Sequence, residues 1–237
     1  MRASLYLMIA IGVVVPLASN AQTPDFSGVY VDPGYVAIPA VRQPAVYPFT
    51  EAGRRAFENF DPYSAPNQDD DCVADPMPGL VFSGDPMEMI QEEGVLVLHY
   101  ERRDMRRTIH IDGSPPRADH EHTGLGYSVG RWVADNELVI ETTHLLDGVL
   151  QTNMGYPMSR EARLIERYWR DPGERDLHVE LRVEDPVNYT ETVVLGRELS
   201  YSEDDEVKPW SCVNLGPKDA EPDIDELVRM LEELDRE

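Results

Sequence analysis

The sequence predicts an all-β protein: about eight antiparallel strands in an up-and-down, calycin-like barrel, with a short helix before it and an amphipathic helix after it. Three observations carry this. From Met87 onward, apolar and polar residues alternate over short segments rich in Val, Ile, Thr and aromatics, the period-two pattern of half-buried strands. Turn residues separate the segments: Glu93-Gly94, Arg103-Asp104, Asp112-Gly113 with Pro115-Pro116, Asp135-Asn136, Asp147-Gly148, Asp171-Pro172-Gly173 and Asp185-Pro186. Closing such a meander into a barrel removes its exposed edges. A β-sandwich meets the same pattern and is the alternative architecture.

Taken in order, residues 1–21 read as a secretory signal peptide. Arg2 supplies the positive start, Leu5 to Leu17 is apolar, and Ser19-Asn20-Ala21 offers a cleavage site. The run is shorter than the ~20 residues that span a bilayer, and no later segment is more apolar, so the mature chain is expected in the periplasm or outside the cell. Residues 22–86 form an irregular extension rich in Pro, Gly and Asp. Within it, Phe26 to Val31 suits a short strand. Thr50 suits an N-cap for a helix through Phe60, with Ala52, Ala56, Phe57 and Phe60 on its buried side. The acidic run Asn67 to Asp71 lacks the Gly and distal Glu of a calcium loop and reads as solvated.

Residues 87–215 hold the expected barrel, with strands at Glu88–Glu92, Val95–Arg102, Met105–Asp112, Tyr127–Val133, Leu138–Leu145, Arg163–Arg170, Leu177–Glu184 and Thr192–Tyr201. The clearest is Leu177–Glu184. Leu177, Val179, Leu181 and Val183 share one face, and His178, Glu180, Arg182 and Glu184 the other. In the final segment, 216–237, Ile224, Leu227, Val228, Leu231 and Leu234 recur at helical spacing. That helix packs on the barrel or is offered to a protein partner.

Acidic residues outnumber basic ones 45 to 21, for a formal charge of -24. Such a surface repels nucleic acid and anionic lipid and excludes both as partners. The two cysteines, Cys72 and Cys212, are expected to form a disulfide in an oxidising compartment. Closing so long a loop is worth ~4 kcal/mol in the chain-entropy model.

The segment from Gly126 to Thr142, GYSVGRWVADNELVIET, resembles a block in a family of exported proteobacterial proteins of uncharacterised activity. The block typically reads GHSIGRWEGDxLVVD/ET. The likeness extends through Ser159 to Tyr168 and Val183 to Thr190, with Phe49 to Gly53 and the Cys72 to Gly79 stretch upstream. It implies a lipocalin-type or calycin-like barrel and carries no activity with it. This chain departs from the block at Tyr127, where the family has His, and at Val133-Ala134, where it has Glu-Gly.

Few residues suggest chemistry. Asp119-His120-Glu121-His122 is the best metal candidate, because two His one residue apart can share a strand face, with His110 or His144 to complete a site. The rest of a cupin pattern is absent and the segment follows two prolines, so a solvated loop and no metal are expected. For acid–base work the candidates are Glu141, His144 and Tyr168, with Arg131 as charge stabiliser. Leu138, Ile140, Thr142 and His144 share one face of their strand, leaving Glu141 on the other; an inward Glu141 would pair with Arg131. Cross-strand ion pairs on the wet face explain the same residues without catalysis. Tyr127, Trp132 and His99 are the candidate ligand contacts, and Gly130 lets a large group pack close to Trp132. No phosphate loop, HExxH or CxxC is present, and no cofactor is expected.

Three functions fit. The first is an extracytoplasmic barrel binding a small hydrophobic or amphipathic molecule. The second is a cofactor-independent lyase, isomerase or cyclase working in the barrel cavity. The third is an envelope interaction protein. An open cavity with inward ionisable groups favours the enzyme, an apolar cavity favours carriage, and a barrel filled by its own side chains favours the interaction protein.

Overall fold

The computed structural model describes residues 24–33, 46–61, 76–151 and 154–211. The expected signal peptide, the acidic run at 67–71, the Cys72–Cys212 disulfide and the C-terminal helix lie outside them. The described chain forms strand β1 (Gly28–Val31), helix α1 (Glu51–Glu58), then β2 (Met87–Glu92), β3 (Val95–Tyr100), β4 (Met105–His110), β5 (Tyr127–Ala134) and β6 (Glu137–Thr143). A small hairpin of β7 (Gly148–Val149) and β8 (Pro157–Met158) precedes β9 (Arg163–Trp169), β10 (Leu177–Glu184) and β11 (Val193–Ser202).

Nine strands close a barrel in the order β1-β11-β10-β9-β6-β5-β4-β3-β2. All eight sequence-expected segments are present. The strand count and the fully antiparallel pattern are corrected. The ninth strand is β1, which pairs with β2 on one side and β11 on the other, so part of the supposed extension completes the barrel. An odd ring cannot alternate in direction throughout, so at least one neighbouring pair must be parallel. That pair is β4–β5, in which Ile109 faces Ser128 and His110 faces Val129. Parallel neighbours need a crossover rather than a tight turn, and residues 111–126 supply it.

Inside and outside follow the alternation. On β10, Leu177, Val179, Leu181 and Val183 are wholly buried, as their spacing predicts. On β6, β9 and β10 the outer face carries ion pairs such as Arg163–Glu141, Arg163–Glu184 and Arg167–Glu137 rather than an apolar band. Among the described residues, no helix is long and apolar enough to cross a membrane.

Both ends are covered. At the end where β2 begins, residues 76–86 lie across the mouth, with Met77, Leu80 and Val81 in the core. Arg197 of β11 holds them through the carbonyls of Val81 and Ser83, at 2.8 and 2.7 Å. Helix α1 sits at the same end. Thr50 caps it as expected, its hydroxyl accepting from the Gly53 amide at 3.0 Å, but the buried side is corrected. Gly53 is the helix residue that is buried, against the Asn188 carbonyl, while Ala52 and Ala56 are exposed. Phe57 instead stacks on Phe49 and Tyr156, with centroids 5.2 Å away in each case. At the opposite end, Phe26 packs edge-on against Trp132 at 4.9 Å, beneath the Arg170 guanidinium.

Candidate functional site

The inward faces of β4, β5, β6 and β9 bring four polar side chains into the barrel core. Arg107 stands two residues before the inward Ile109, and Glu166 lies between the inward Leu164 and Tyr168; period-two geometry turns both toward the axis. They form a bidentate pair, with Nη1 to Oε2 at 2.9 Å and Nη2 to Oε1 at 2.6 Å. Arg107 Nε also donates to Ser128 Oγ at 3.1 Å and Nη2 to Thr142 Oγ1 at 2.7 Å. Ser128 and Thr142 hydroxyls lie 3.0 Å apart. Tyr168 donates to Glu166 Oε2 at 3.0 Å. Tyr100 sits among these groups, but its hydroxyl completes no hydrogen bond.

Exposure decides what this network can do. Arg107 is 1% exposed and Glu166 0%, so the pair is dry. Burial opposes the charge on Arg107, yet the charge and hydrogen bonds of Glu166 outweigh it and hold the guanidinium's pKa above its usual value. Burial first, then the charge of Glu166, pushes the Tyr168 hydroxyl well up. Burial also pushes Tyr100 to about 12. Buried and satisfied by one another, these groups are closed to substrate, an arrangement that specifies packing.

The residues singled out in the sequence do not converge. Tyr168 lies in this core. Glu141 faces outward, and Arg163 holds its carboxyl below the usual range with little help from Arg131. Arg131 is exposed on the outer face. His99 faces away from the barrel axis, 2.6 Å from Asp104 and 3.3 Å from Arg106. Trp132 is committed to Phe26, and Gly130 accommodates the Ile109 methyl rather than a ligand. The four acid–base candidates therefore occupy three separate environments. Arg107 and Glu166 were missed, although their inward phase was visible.

His144 and Tyr127 belong to a second constellation, on the outer wall where the crossover passes over β4, β5 and β6. Tyr127 stacks on His110 at 4.6 Å and meets His120 edge-on at 4.9 Å, while its hydroxyl donates to the Ser114 carbonyl at 2.9 Å. His144 lies against both His120 and His122, and burial, then those two rings, lowers its pKa. In the Asp119–His122 loop, Asp119 and Glu121 are exposed, as expected of a solvated loop, while His120 and His122 are partly buried against His144.

A third feature is an open cleft of about 260 Å³ at the covered end of the barrel, lined by Gly79, Phe82, Ser83, Gly84, Asp85, Arg102, Gln151 and Met154. Arg102 and Asp85 stand 3.8 Å apart on its wall. Phe82 and Met154 supply apolar surface, so the lining is amphipathic. No family model and no curated protein sequence matches the chain.

Proposed function

We propose that the protein is an exported binding barrel whose small amphipathic ligand sits in the cleft over the covered end, not along the barrel axis. The observation that carries this is the contrast between a dry interior, with Glu166 at 0% exposure, and a concave, mixed-polarity cleft open at the mouth. A filled interior by itself would favour an interaction protein; the cleft favours a small ligand. Its volume lies just under the ~300 Å³ at which drug-sized sites begin, so the ligand is compact. The Arg102–Asp85 pair offers a donor and an acceptor for its polar part, and Phe82 with Met154 a surface for its apolar part. Export rests on the apolar run from Leu5 to Leu17 and the small residues before Gln22. The separation of Glu141, His144, Tyr168 and Arg131 favours binding over catalysis.

Gly84 provides the test. A side-chain carbon built there meets nothing within 4 Å, and its backbone needs no positive φ, so Gly84→Phe fills the cleft without straining the fold. Native mass spectrometry of protein purified from an exporting host, with a thermal-shift screen of small amphipathic compounds, identifies the ligand. Gly84→Phe is expected to lose that ligand while unfolding at the wild-type temperature. A ligand retained by Gly84→Phe, or no ligand for the wild type, refutes the reading.

A further inference from the structure

The crossover is tied to the barrel wall where β6 ends. The Thr123 amide donates to the His144 carbonyl at 2.9 Å, and the Leu146 amide to the Thr123 carbonyl at 3.1 Å. His122 Nδ1 donates to the Leu145 carbonyl at 2.7 Å. The crossover in turn holds the start of the cover over the barrel mouth. The Met77 amide donates to the Gly124 carbonyl at 2.8 Å, and Pro76 lies beside Gly124. Gly79, Phe82 and Ser83 of the same cover line the cleft.

Imidazoles crowd that junction. The His144 ring centroid lies 5.3 Å from that of His120 and 5.4 Å from that of His122. Tyr127 of β5 meets His120 edge-on, and His110 of β4 stacks on Tyr127. The nearby acids are turned to other partners or to water: Asp112 accepts from Ser114, Asp119 pairs with Arg117, Asp147 accepts from the Arg160 amide, and Glu121 is exposed. His99 and His178 each have a carboxylate at hand; among the described residues, His144 makes no such pair. A proton on His144 therefore meets two imidazoles and no counter-charge, and burial, then those rings, holds its pKa below the usual value. Two further features favour release. His144 keeps a left-handed backbone, φ 58°, which a non-glycine residue retains only where its surroundings hold it. His120 Nε2 is buried with no partner and regains one in water.

We propose that the crossover is an acid-released strap: protonation of His144 frees the segment around Thr123 from the barrel wall and loosens the start of the cover at Met77. The sign follows from linkage. A histidine whose pKa is lowered in the folded state contributes stability that is complete above its unfolded value near 6.5 and lost as pH falls through the folded value. Between about pH 7.5 and 5.5, one imidazole that takes its proton only when released shifts the balance toward release by up to about 10-fold. The strap works in this way whether or not the cleft holds a ligand.

The test is hydrogen exchange of the full chain, followed amide by amide by NMR at about pH 7.5 and about pH 5.5 and corrected for the intrinsic pH dependence of exchange. Protection of the Thr123, Leu146 and Met77 amides should fall by about 10-fold in acid, while the Val179 and Leu181 amides of β10 hold. The His144 ring should titrate below about 6.5 in the same samples, a measurement that needs no variant. His144→Asn, chosen because Asn tolerates the left-handed backbone, should abolish the acid response, and circular dichroism confirms that it folds. The proposal is overturned if protection at Thr123 and Leu146 changes by less than about 2-fold where one proton predicts about 10-fold. It is equally overturned if Met77 stays protected while those two open, if His144→Asn responds to acid as the wild type does, or if His144 titrates at or above about 6.5.

Discussion

Replacing Glu166 by Leu would leave Arg107 charged, buried and stripped of its bidentate partner. The guanidinium would keep only the Ser128 and Thr142 hydroxyls, at 3.1 and 2.7 Å. An uncompensated buried charge costs about 3–5 kcal/mol. For a domain of this size that lowers the melting temperature by roughly 6–20 °C, at about 2–4 °C per kcal/mol. The double variant Arg107→Met, Glu166→Leu removes both charges. Ser128 and Thr142 still face each other at 3.0 Å, so the main loss left is the Tyr168 hydroxyl, which donated to Glu166 and is stranded in the single variant too. One unsatisfied buried hydroxyl costs about 1–3 kcal/mol. The double variant is therefore expected to be more stable than Glu166→Leu by about 2 kcal/mol. Urea denaturation followed by tryptophan fluorescence measures both. A Glu166→Leu variant within about 1 kcal/mol of wild type, or a double variant less stable than the single, would refute the view that this pair is a dry structural element.

Two further outcomes follow from the packing. In an ordinary helix, Gly→Ala stabilises by about 1 kcal/mol; Gly53→Ala is expected to do the opposite, costing about 1–3 kcal/mol, because its methyl would collide with the Asn188 backbone carbonyl. Chemical denaturation reads the sign, and a stabilised variant would remove Gly53 as the anchor of α1. The second concerns alkaline pH. Burial raises the hydroxyl pKa of Tyr100 to about 12 and pushes Tyr47, Tyr168 and Tyr189 up as well. Groups raised in the folded state contribute stability that is complete below the unfolded value near 10 and lost as pH climbs through the folded values. Phenolate absorbance from these four should therefore appear together with loss of the far-ultraviolet dichroism; their ionisation in a still-folded protein would contradict the burial.

Local chemistry was legible wherever one residue's neighbours in sequence are also its neighbours in space. The Leu177–Glu184 alternation named its buried face, and Thr50 named the start of α1. The buried side of α1 was misread, because apolar Ala52 and Ala56 pointed one way while close approach to a carbonyl 135 residues distant (188 − 53) required the absence of a side chain at Gly53. Arg106 and Arg107 look equivalent in MRRTIH; the phase set by Ile109 turns Arg107 inward, but only a partner there makes that tolerable.

Chain chemistry therefore settled which segments are strands, where they turn and, for Leu177–Glu184, which face is apolar, since propensity and period-two burial are local properties. Tertiary closure decided the rest. The barrel took β1 as its ninth strand, an odd ring forced the parallel β4–β5 pair, and that pair required the crossover carrying His120 and His122 over His144. Arg107 meets Glu166 59 residues away, and the pair is stable only because the surrounding strands exclude water while Ser128, Thr142 and Tyr168 satisfy its hydrogen bonds. Such compensation depends on groups brought together by the whole fold, and no window of sequence contains it.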